Sequence, residues 1–348
     1  MRKFIIVLIV LFISAASYAE NYIKLSPKDS VNLNQDLYYR ENFASQWWYL
    51  TGHLETEDGR KFGYELTFFA VGVNQNKYQS AFGLNNLYIS HFAVTDIEKN
   101  KYYKKEEISR GAYGAAGASA DKLNVFVYDN ILKGNLNKMH IKGEAEEFSI
   151  KLDLKSTKRP ILNGDKGYSN KVPGCGECAS LYFSITDMDT NGIITINGRN
   201  YSVSGKSWFD REINSDYNTD KIKGWDWFSI MLEGNRELMI YRIRNNEGKA
   251  NKSSYAVLTD KNGKKQQLDF NKISLDTTEY FKSGITGSKY PVGWHIRIPE
   301  KDIDIKIKPY VKNQEFIANY STFNYYWEGA CRVTGTDKGK AYVELTGY

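Results

Sequence analysis

The sequence holds only four histidines and three cysteines in 348 residues. His53, His91, His140 and His295 are scattered, with no two at metal-ligand spacing on one element, so a histidine-based metal centre is not expected. No Gly-x-Ser-x-Gly elbow is present, which removes the usual nucleophile of an α/β-hydrolase. No P-loop or dinucleotide fingerprint appears, and no cofactor is called for. The net charge of +6 is spread along the chain rather than gathered in a basic stripe, which argues against a nucleic-acid partner. Three cysteines are too few for a disulfide scaffold, and the odd count leaves one unpaired. Cys175-Gly176-Glu177-Cys178 can close a small loop in an oxidising compartment, remain as two thiols, or take part in metal or redox chemistry. Its flanks are β-like, whereas a thioredoxin-type site needs a βαβ setting.

Long apolar runs are absent too, except at the start. Arg2 and Lys3 precede an apolar run over residues 4–13, and Ser17-Tyr18-Ala19 offers small residues at a cleavage position. This reads as a signal peptide over residues 1–19, removed after Ala19. The run is about half the ~20 residues that a membrane-spanning helix needs. The expected location is periplasmic or secreted, with no stable membrane insertion after cleavage.

What is abundant is the texture of sheet. The chain has 26 Tyr, 17 Phe and 7 Trp. Short aromatic and β-branched runs, among them 46–54, 62–71, 180–186, 226–232 and 237–244, are separated by turn signals such as Asp58-Gly59, Asn191-Gly192 and Glu233-Gly234. No long amphipathic helix competes with them. The pattern predicts an all-β chain, and the length suits two domains.

An internal echo points the same way. The run from Trp47 to Leu54 turns at Asp58-Gly59 and returns, and the run from Trp225 to Leu232 turns at Glu233-Gly234 and returns. Trp47 aligns with Trp225, Tyr49 with Trp227 and Leu54 with Leu232. A weaker echo sets Gly205-Lys206-Ser207-Trp208-Phe209-Asp210 beside Gly339-Lys340-Ala341-Tyr342-Val343-Glu344. A single repeat of this length means domain duplication. We expect domains over 35–213 and 222–348, joined by the polar stretch 213–222.

Strand alternation assigns faces. Trp47, Tyr49, Thr51 and His53 share one face, with Trp48 and Leu50 on the other; Trp225 and Trp227 share a face, with Asp226 opposite. Rings suit flat, apolar ligands or simply fill a core. Carboxyl groups among rings lose solvation and rise in pKa, which fits a proton donor. Asp210, Glu212, Asp226, Glu328 and Glu344 are such candidates, with Arg211, Arg242, Arg244 and Arg332 close enough to neutralise them instead.

The distinctive strings are Gln46-Trp47-Trp48-Tyr49-Leu50-Thr51-Gly52-His53-Leu54, Gly167-Tyr168-Ser169-Asn170-Lys171, Ser207-Trp208-Phe209-Asp210-Arg211-Glu212, Gly224-Trp225-Asp226-Trp227-Phe228 and Tyr326-Trp327-Glu328-Gly329-Ala330. In combination, from about residue 45 to the end, the chain resembles the AttH and carotenoid 1,2-hydratase family. The resemblance implies two tandem lipocalin-like antiparallel β-barrels. It also implies hydration- or hydrolysis-type chemistry by acid protonation, in the region of Trp225, Asp226, Trp227 and Tyr241. Arg242 and Ile243 stand where that chemistry wants an acid, and no histidine lies on either strand.

The sequence therefore leads us to expect a protein that binds a lipophilic small molecule in an aromatic cavity near the domain junction. Asp226 is the expected proton donor, and Tyr241 orients substrate or water. Trp47, Trp48, Trp225, Trp227 and Trp327 stack on the ligand, with His53 beside them. A lipid carrier without chemistry and an envelope or attachment protein are the alternatives. The sequence does not fix the oligomeric state.

Overall fold

The computed structural model describes residues 22–348 except 75–77, 79, 81–82 and 216–218. The expected signal peptide lies outside the described residues. The described chain is almost entirely antiparallel sheet, and its one α-helix is the short turn Leu33–Asp36.

Two sheets are formed. The first has the strand order Lys101–Ser109, Asn86–Asp96, Lys61–Gly72, Ser45–Glu55, Arg199–Asn214, Ala179–Ile196, then Phe148–Ser156 and four shorter strands back to Ala116–Ala118. It curls until Leu123–Val127 lies against Lys61–Gly72 and its neighbours, a nearly closed barrel. The second runs Lys265–Asp269, Tyr255–Thr259, Arg236–Arg244, Gly224–Leu232, Gly339–Thr346, Asn324–Gly335, then Ile303–Pro309, Lys289–Ile298 and Ser274–Lys282. It stops at a half-barrel. This is a lipocalin-like architecture.

The echo in the sequence has a counterpart in the topology. Ser45–Glu55 pairs with the return strand of its own hairpin and, on its other side, with Arg199–Asn214. Gly224–Leu232 pairs with its own return strand and with Gly339–Thr346. The two echoed hairpins hold the same place in their sheets, and so do the two echoed strands beside them.

Both sheet interiors are filled. Trp48, Leu50, Leu66, Phe68 and Phe92 belong to one core, and Phe228, Trp294, Trp327, Val343 and Leu345 to the other. The outer faces of the two sheets pack on each other, burying Tyr49, Tyr182, Trp208, Trp227, Met239, Tyr241 and Val257 as a third cluster. Burying each large side chain contributes about 1.5–3 kcal/mol, so the junction behaves as a core rather than a sliding contact. This explains the nearly continuous burial of Ser45–Glu55 and Lys61–Gly72, whose strands face apolar matter on both sides.

Polar contacts stitch the junction. Lys158 Nζ meets Glu237 at 2.7 Å. Thr95 donates to Gln314 Oε1 at 2.7 Å, and Ser169 Oγ lies 3.0 Å from the Tyr255 hydroxyl. Cys175 and Cys178 are bonded as a disulfide, and Cys331 is a buried free thiol.

Candidate functional site

Where the two outer faces meet, they leave a cavity of about 140 Å³, close to the volume that holds a benzene-sized ring in a protein interior. The first sheet contributes Trp47, Tyr49, Phe69, His91, Tyr182 and Asp210 to its wall, and the second contributes Trp225, Trp227, Tyr241, Tyr326, Glu328 and Glu344. Period-two alternation decides this membership. Residues 47 and 49 face the junction while Trp48 turns into the barrel; 225 and 227 face it while Asp226 turns away.

The two walls are built alike. Tyr49 lies opposite Asp210 in the ladder of the first sheet, and Trp227 lies opposite Glu344 in the second. Tyr49 and Trp227 correspond in the sequence echo, as do Asp210 and Glu344. Two aromatic–acid pairs thus stand face to face around one cavity.

Asp210 is 4% exposed. Tyr182 Oη donates to its Oδ2 at 2.6 Å and Trp208 Nε1 to its Oδ1 at 2.7 Å. Trp227 Nε1 in turn donates to the Tyr182 hydroxyl at 3.0 Å, tying this acid to the opposite sheet. Burial pushes Asp210 up to about 7, against the pull of these donors. Glu344 rises to about 8, again through burial first, with Trp225 as a hydrogen-bond donor holding it down and Glu212 adding repulsion. Glu328, directly opposite Glu344 in the ladder, is also raised by burial and by the nearby acids Glu65 and Glu344.

The remaining wall acid is neutralised. Glu212 pairs with Lys171 Nζ at 2.5 Å, and that ammonium lies over the Tyr241 ring at 4.4 Å. Lys171 is itself pinned from the disulfide loop, its N–H donating to Cys178 O at 2.8 Å. His91 bonds Tyr326 Oη at 2.7 Å and Ser321 Oγ at 2.8 Å, and burial lowers it to about 3, so its ring is neutral. Among the described residues, no group of three or more His, Cys, Asp or Glu side chains is arranged to hold a metal ion.

The structure brings together Trp47, Trp225, Trp227 and Tyr241 of the expected site and disperses the rest. Trp48 lies in the barrel core, under the Arg211 guanidinium at 3.9 Å and donating to Leu37 O. Trp327 is in the core of the second sheet and donates to Lys312 O. His53 is on the junction face but outside the cavity, bonded to Ala341 O at 3.0 Å and lowered by burial to about 3.

Asp226 does not reach the cavity. It is fully buried on the other side of its strand, 3.2 Å from both Arg242 Nη1 and Arg244 Nε, and it accepts from Tyr348 Oη at 2.6 Å. The alternation that puts both flanking tryptophans on the wall takes Asp226 off it. The wall acids are Asp210, Glu212, Glu328 and Glu344, which the sequence offers as candidates without ranking them first. Glu65 is not among those candidates, and Lys171 enters only within a distinctive string, with no role attached.

Comparison with known proteins follows the geometry. The family model described as AttH-like matches residues 24–348. The structure is similar to that of NE1406 from Nitrosomonas europaea, assigned as an AttH, with a TM-score of 0.85 and 30% identity over 94% of this chain and 99% of that one. It is similar in fold to kievitone hydratase from Nectria haematococca, with a TM-score of 0.71 and 16% identity over 94% of this chain and 97% of that one. In sequence it is 22% identical over 244 residues to the dehydratase AsqC of Emericella nidulans, covering 67% of each chain.

Proposed function

The chain belongs to the AttH-like family, and on that footing we propose that the junction cavity binds a small apolar molecule and hydrates or dehydrates it by acid–base chemistry. One observation carries this reading: Asp210 and Glu344, from opposite sheets, sit among rings with pKa values raised to about 7 and about 8. Two buried carboxyls that face one cavity can divide the work, one holding its proton while the other is ionised, the division that such chemistry needs. Relatives named as a hydratase and a dehydratase support the reaction class.

In the dehydration direction, Glu344 gives its proton to the substrate hydroxyl. The C–O bond breaks and water leaves. The Asp210 carboxylate takes the proton from the neighbouring carbon, and the C–H electron pair becomes the double bond. Hydration is the reverse, and neither direction is a redox step. Trp47, Trp225 and Trp227 hold the flat part of the substrate, and Tyr241 on the same wall orients it. Loss of either acid should cost roughly 10²–10⁴-fold in rate.

The test is incorporation of label from heavy-oxygen water into a library of apolar alkenes and alcohols. Wild-type protein should label a subset, and Asp210→Asn or Glu344→Gln should not. Labelling that survives in both variants overturns the assignment. A carrier would bind the neutral single-ring dye 4-(dimethylamino)benzonitrile and label nothing.

We place the protein outside the cytoplasm. Support comes from the leader-like pattern of residues 1–19 and from the Cys175–Cys178 disulfide, a bond that persists in oxidising compartments.

A further inference from the structure

Beyond the cavity, the junction holds polar groups that the reaction above leaves unused. Glu65, on Lys61–Gly72, and Glu328, on Asn324–Gly335, come from opposite sheets and are 0% and 1% exposed. Glu65 Oε2, Glu328 Oε1 and the hydroxyls of Tyr49, Tyr102 and Tyr342 are all sealed from solvent without a hydrogen-bond partner. The Tyr49 hydroxyl approaches Glu328 without completing a bond of normal geometry. The other oxygen of Glu65 accepts from Thr67, a wall residue. Glu328 is itself on the wall and lies opposite Glu344.

The groups that face the pair are Tyr49, Tyr102, Tyr326, Tyr342 and Glu344, with the neutral His91 behind Tyr326. None is a cation. Two carboxylates in a dry site with no counter-ion repel each other and lose solvation, so such a pair keeps protons instead.

We propose that Glu65 and Glu328 are a proton-holding pair that recharges Glu344 after each turnover, with Glu65 acting through Glu328 and never touching substrate. This rests on the acid–base reading of Glu344. Once Glu344 has given up its proton, Glu328 passes one across the ladder. Glu65 replaces it through a tyrosine hydroxyl, which takes one proton as it gives another. Asp210 releases the proton that it took from carbon to solvent as product leaves, and Glu328, which lines the cavity, regains one from water that enters as the product departs. The cycle is neutral in protons and electrons.

Infrared spectroscopy of the full chain tests the pair without any substrate. Wild-type protein should show protonated-carboxyl bands at neutral pH. Glu65→Gln should remove one and make the Glu328 band titrate at lower pH, because a repelling neighbour is gone. Thr67→Val, which frees one Glu65 oxygen, should shift the Glu65 band while leaving the fold intact. In turnover, Glu65→Gln should lower kcat roughly tenfold with KM unchanged, less than the loss from removing the acid itself, and should shift the alkaline limb of the pH profile. Missing carboxyl bands, or a Glu328 band indifferent to Glu65→Gln, overturn the pair. Full turnover in Glu344→Gln, with the bands intact, overturns the site reading on which the relay depends.

Discussion

Tyr49 and Trp227 meet edge to face across the junction, their ring centroids 5.2 Å apart and their planes at 86°. Each ring stands opposite the acid of its own sheet, Asp210 for Tyr49 and Glu344 for Trp227. This contact places two acids from separate sheets on one cavity, and burial raises both above the ordinary carboxyl range.

The proposed division of roles predicts a bell-shaped rate profile. It needs Asp210 ionised and Glu344 protonated, so activity should rise through about pH 7 and fall through about pH 8. In the residual activity, Asp210→Asn should abolish the acidic limb and Glu344→Gln the alkaline limb. Initial rates across pH at saturating substrate check both.

The same groups predict how stability depends on pH. Folded-state values raised to about 7 and about 8 from the ordinary carboxyl range mean that the folded chain binds more protons than the unfolded one. That stabilisation is complete below the unfolded values and is lost as pH rises through the folded ones. His53 and His91 act oppositely: lowered to about 3, they stabilise above their unfolded value of 6.5 and lose this as pH falls towards 3. Between about pH 8.5 and 6.5 the acids alone operate. Melting temperature should rise on acidification through that window, and Asp210→Asn with Glu344→Gln should lessen the rise, leaving the part that Glu65, Glu237 and Glu328 contribute.

Asp226 should behave as a structural residue. Its carboxylate answers two arginines, one of them, Arg244, almost fully buried. Asp226→Asn should therefore cost about 3–5 kcal/mol, the usual result of breaking a buried pair. Binding of the dye 4-(dimethylamino)benzonitrile to the folded variant should be unchanged. Urea unfolding followed by tryptophan fluorescence measures the first, and titration with the dye measures the second.

The disulfide loop should tune the cavity from a distance. Lys171 is held through Cys178 O and neutralises Glu212 on the wall. Cys175→Ser with Cys178→Ser should cost about 2 kcal/mol by loop entropy. It should also weaken dye binding, because a loosened Lys171 leaves Glu212 less well paired. Equal dye affinity in both proteins would show that the loop has no hold on the site.

Much of this was legible in the residues. Turn signals and alternating aromatics gave strands close to those observed, and the echo between Trp47–Leu54 and Trp225–Leu232 marks hairpins that hold equivalent places. Parity correctly separated Trp47 from Trp48 and Trp225 from Asp226. Alternation cannot say which face is the interior, and here both faces are buried. That is why Trp48 and Trp327, packed inside the sheets, looked the same as the wall tryptophans. A better signal lay in Phe62-Gly63-Tyr64-Glu65-Leu66-Thr67-Phe68-Phe69, where an acid interrupts a run apolar on both faces. The pairing of Asp210 with Glu344 was also present in the weaker echo, but its meaning depends on two sheets meeting back to back.

The tandem arrangement has a further consequence. Two identical carboxyl groups facing one cavity would be interchangeable, either one free to hold the proton that the other lacks. Within one polypeptide the two positions can differ. An aspartate with two strong donors on one side and a glutamate beside a second glutamate on the other make the two acids distinguishable, so that each can keep a fixed role.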